Sequence, residues 1–99
     1  MSILIKELIG SNTAISPERG LLVYEVILPR LTNTREIIVL DFNGLKLVIS
    51  AFLNTAIGKL VEHYSVQELY DRLVFIDIEV GTLLLIDKVL LHAERYFKS

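Results

Sequence analysis

Residues 35–64 read REIIVLDFNGLKLVISAFLNTAIGKLVEHY, and the fold follows from how this stretch divides. Ile37 to Phe42 is an apolar run interrupted only by Asp41. Such a run predicts a strand, over Glu36–Phe42, covered on both faces. Asp41 stands at its carboxyl end, and Asn43-Gly44 breaks it with the residue types that turns require. Ser50 then stands just ahead of a helical pattern over Ala51–Tyr64. Phe52, Ala56 and Leu60 recur one turn apart, as do Leu53, Ile57 and Val61. A buried strand followed by a polar loop and a helix start puts both at the carboxyl edge of a sheet. Open α/β folds place their binding sites at that edge.

On the amino-terminal side, Ile3–Leu8 reads as a first strand, with Lys6 and Glu7 marking it as an edge strand. Gly10–Thr13 is a loop of turn formers. Ser16-Pro17-Glu18 is a helix start: Ser caps, Pro suits the first position, and Glu suits the positive end of the dipole. The helix runs through LLVYEVILPRL, where Pro29 predicts a stop or kink. On the carboxyl side, Ser65 and Glu68 have the spacing of a capping box for a short helix, VQELYDR. Arg72–Ile78 is the third strand, Glu79–Gly81 a turn, and Thr82 a cap for a last helix over Leu83–Phe97. The order is βαβαβα, with crossovers long enough for parallel pairing. The fold class is therefore α/β, a small and mostly parallel sheet with packed helices, in one domain over residues 1–99.

Composition narrows the function. The net charge is −2, with both signs interspersed, which argues against a nucleic-acid or anionic-membrane footprint. There is no cysteine, as a cytoplasmic location would allow. MSILIKELIG does not read as a signal peptide, and no run of 18 apolar residues predicts a membrane span. The apolar fraction, 53%, exceeds the usual ~45–50%. A small domain this apolar is expected to expose an apolar patch and so a partner or homodimer face.

No catalytic constellation is legible. His63 and His92 have no neighbours at ligand spacing, and there is no phosphate-cradling glycine loop. The expectation is a non-enzymatic chain with no cofactor and no metal. Asp41 and Asp77, both at strand ends, could together hold Mg²⁺ as in a receiver-like phosphotransfer site. That reading lacks an acidic pair after the first strand and a lysine on the late strand, and loop anchoring explains both carboxylates. Gly58, costly inside a helix, predicts close packing of another segment.

From Leu40 to Leu60 the sequence is LDFNGLKLVISAFLNTAIGKL. Leu-Asp-Phe, a glycine three residues after the aspartate, then Phe-Leu-Asn and Ile-Gly-Lys-Leu resemble the STAS-like domain family of unknown function. These are small prokaryotic relatives of the anti-sigma factor antagonists, and the resemblance covers about residues 36–64. It implies a regulatory protein-binding module whose partner is an ATP-binding serine kinase related to histidine kinases. In antagonists that kinase phosphorylates a Ser or Thr at the start of the helix after the central strand. An ungapped alignment from Asp41 puts that position on Ala51, with Ser50 one residue earlier. The implied partner-binding residues are Asp41, Asn43, Gly44, Ser50, Ala51 and Asn54, with Ser50 the possible phosphorylation site. Ser50 also reads as an ordinary helix N-cap. The alternative is a homo-oligomerisation module built on apolar surface of the first or last helix.

Overall fold

The computed structural model describes residues 1–98. Three parallel strands, β1 (Ser2–Leu4), β3 (Ile38–Asp41) and β5 (Leu73–Ile76), form a sheet in the order β1-β3-β5. Ile38 pairs with Leu73, and Leu40 lies between Ile3 and Phe75. A second parallel pair joins β2 (Thr13–Ala14) to β4 (Leu47–Val48). The helices are α1 (Ile5–Ile9), α2 (Pro17–Asn33), α3 (Ser50–Ala56), α4 (Val66–Arg72) and α5 (Val80–Lys98), with a 3-10 segment at Gly58–Glu62.

One core joins the sheet to the helices. Ile38 and Leu40 of the sheet are fully buried with Phe52, Leu53, Leu60 and Val61 and with Ile27 and Ile86. α2 crosses α3 at Gly20, where a Cβ would lie 2.0 Å from Thr55 Oγ1 and 2.4 Å from the Phe52 carbonyl oxygen. Gly58 does the same for α5, since a Cβ there would meet Val89 Cγ1 at 3.0 Å. The expected close packing at Gly58 is thus internal.

Caps set the element ends. The Ser16 side chain accepts from the Arg19 amide at the start of α2. At α4 the box is complete: the Glu68 amide donates to Ser65 Oγ at 3.1 Å, and the Ser65 amide donates to Glu68 Oε1 at 3.0 Å. The far end of α2 is held by Arg72, whose guanidinium donates to the carbonyls of Thr34 and Glu36 at 2.9 Å and of Arg30 and Leu31 at 3.4 Å. The Tyr70 hydroxyl donates to Asp87 and ties α4 to α5.

Five expectations are corrected. The first strand ends at Leu4, because Ile5–Ile9 coils into a helical turn that Gly10 closes at φ 67. Pro29 does not stop α2, which continues to Asn33, as its end is capped from Arg72 and by the Thr34 amide donating to the Arg30 carbonyl. The helix expected over Ala51–Tyr64 divides at Ile57, beyond which the chain tightens into the 3-10 segment facing α5. The last helix begins at Val80 rather than Leu83. Finally, the central strand is covered on one face, not two. Ile38 and Leu40 are buried, while Ile37 is 45% exposed and Val39 only half-buried.

Candidate functional site

The carboxyl ends of β3 and β5 open into a cleft of about 340 Å³. One wall is the loop Asn43–Val48 and the other is the turn from β5 into α5, with Asp77, Glu79 and Thr82 on it. The floor is closed where the Phe42 amide donates to the Ile76 carbonyl at 3.0 Å. Asp77 turns the chain there with φ 50, a left-handed conformation that costs a non-glycine residue of order 1 kcal/mol or more.

The loop wall is fixed at three places. Asp41 Oδ1 accepts the Asn43 amide at 2.9 Å, so the carboxylate anchors the turn. Gly44 follows with φ 83, and the stem of Lys6 from α1 lies over it, within 2.8 Å of where a Cβ would be. The β2–β4 pair then holds the loop's far end, with the Lys46 amide donating to the Asn12 carbonyl at 2.7 Å and the Ile49 amide to the Ala14 carbonyl at 3.1 Å. A loop held this way presents a fixed surface.

α3 follows directly. Its N-cap position is Ile49, with φ −121 and ψ 165, and no side chain caps the helix. Ser50 is the first helical residue, so the N-cap role open to it in the sequence is not the one it takes. Phe52, Leu53 and Ala56 are buried, and Thr55 Oγ1 donates to the Pro17 carbonyl at 2.7 Å. That leaves Ser50 and Asn54, one turn apart, exposed along the outer line of the helix, with Ala51 half-buried beside them.

The candidate residues therefore divide. Asn43 and Gly44 line the cleft, whereas Asp41, Ser50, Ala51 and Asn54 do not. Asn54 borders a second groove of about 450 Å³ between α3 and the last turns of α5, with Lys59, Glu62, His92, Tyr96 and Phe97. Lys59 Nζ stands 4.9 Å from the centroid of the Tyr24 ring, a cation–π contact. Burial, with Glu62 adding repulsion, raises the Tyr24 phenol above its ordinary range. Lys46 lies in the loop from Asn43 to Ser50 that the sequence already points to, whereas Glu79 and Thr82 read there only as a turn and a helix cap and were not expected in the cleft. Among the described residues no three His, Cys, Asp or Glu side chains converge as metal ligands would. No helix among them is long and apolar enough to cross a membrane.

Residues 20–82 match a family model described as a STAS-like domain of unknown function. No curated protein and no solved structure matches the chain significantly. The family match covers more than half of the chain, from Gly20 in α2 to the first turn of α5, and takes in the cleft loop, α3 and β5. The chain belongs to this STAS-like family.

Proposed function

We propose, with that membership as the premise, that the protein is a non-enzymatic regulatory module of the cell interior, resembling an anti-sigma factor antagonist. It docks a protein partner on the surface made by the loop Asn43–Ile49 and the Ser50–Asn54 line of α3. The observation that carries the reading is the state of α3. Its apolar residues are buried and Thr55 is bonded to α2, so the helix offers only Ser50 and Asn54 outward, beside a loop pinned at both ends. A fixed surface, on which Leu47 and Ile49 are exposed beside Asn43, Lys46, Ser50 and Asn54, suits recognition by shape with a few hydrogen bonds and little ordering on binding.

The partner class that fits the family resemblance is an ATP-binding serine kinase related to histidine kinases. Ser50 is exposed and does not cap α3, so its hydroxyl is open to a kinase, whereas that of Thr55 is engaged. Phosphorylation would add about two negative charges to the docking line and change the fit. The surface can also bind with Ser50 unmodified.

The test is affinity capture from the host, with and without ATP, followed by intact-mass analysis of the bait. The expected result is an ATP-binding partner held by the native protein and lost in Asn54→Arg. A phosphoryl mass that appears with ATP and vanishes in Ser50→Ala establishes the switch. Capture that is indifferent to Asn54→Arg and to a bulky residue at Asn43 overturns the assignment of the surface.

A further inference from the structure

We draw no further inference here: the strongest candidate, the groove between α3 and the last turns of α5 that is lined by Gly58, Ala93, Tyr96 and Phe97, carries nothing because nothing in the structure shows what covers it.

Discussion

The two faces of the sheet both carry aliphatic residues and have opposite surroundings, and only the open one also carries polar residues, Ser2 and Asp41. Ile38 and Leu40 point into the helices and are fully buried, while Val39 between them on β3, and Ile37 just before the strand, remain partly open. The alternation of a strand decides which face a residue serves, but not whether anything covers that face. Hydrophobicity alone does not separate a residue that holds the fold from one that is free to act outside it. Substitution does.

The largest contrast is on the covered side. Leu40→Ala should cost about 2–5 kcal/mol by emptying a site with no exposed surface, which lowers Tm by well over 10 °C in a domain of this size. A small loss in thermal unfolding would mean that the core collapses around the gap. Next is the crossing of α2 over α3. Gly20→Ala drives a Cβ into the Phe52 carbonyl, and backbone cannot swing aside, so a loss of about 1–3 kcal/mol is expected in urea unfolding. Retained stability there would show that the two helices can part without disturbing either sheet face.

Away from both faces, Ser65→Ala should cost about 1 kcal/mol by removing half of the α4 capping box. The Ser65 amide and then its hydroxyl, bonding to Glu68, lower that carboxyl group below its ordinary value of 4.5. A depressed carboxylate stabilises the fold above its unfolded pKa and loses that effect as the pH falls through the folded value. The Ser65→Ala difference should therefore narrow in acid, below pH 4.5. At the alkaline end, Tyr70 is pushed up to about 12 by burial first and then by Asp87. Its contribution is complete below the ordinary tyrosine value and fades as the pH rises through about 12. An ultraviolet titration should find a tyrosine ionising at about 12 that Tyr70→Phe removes. The smallest effect belongs to the open face. Val74→Thr should move the stability of the monomer by less than about 0.5 kcal/mol. A larger loss, measured where any dimer is dissociated, would mean that the face is part of the core after all.

The sequence made the central strand, α2 with its Ser16 cap, the α4 box and the strand at Leu73–Ile76 legible, because each has a local cause. The apolar run at Ile37–Phe42 did not reveal its one-sided cover, since coverage depends on where helices from elsewhere in the chain come to rest. Ile5–Ile9 misled because a β-branched, apolar segment can coil when a glycine such as Gly10 stands ready to close the turn. The continuation past Pro29 was hidden because the group that holds the helix end, Arg72, lies in another element. At the candidate site, the Asn43-Gly44 turn was legible from local pattern, whereas Ser50, which reads as an N-cap, is the first helical residue with Ile49 at the cap. The separation of Asn54 into a second groove was not legible, because it depends on the line taken by α5.

Arg72 has a further consequence, one of timing. Its guanidinium closes four carbonyl contacts at the end of α2 from about forty residues later in the chain. When the chain leaves the ribosome, α2 is complete long before the side chain that holds its last turn has been made. Until then the last turn of α2 lacks these four contacts. One side chain thus ties the end of α2 to the start of the last strand, so that the two are complete only in each other's presence.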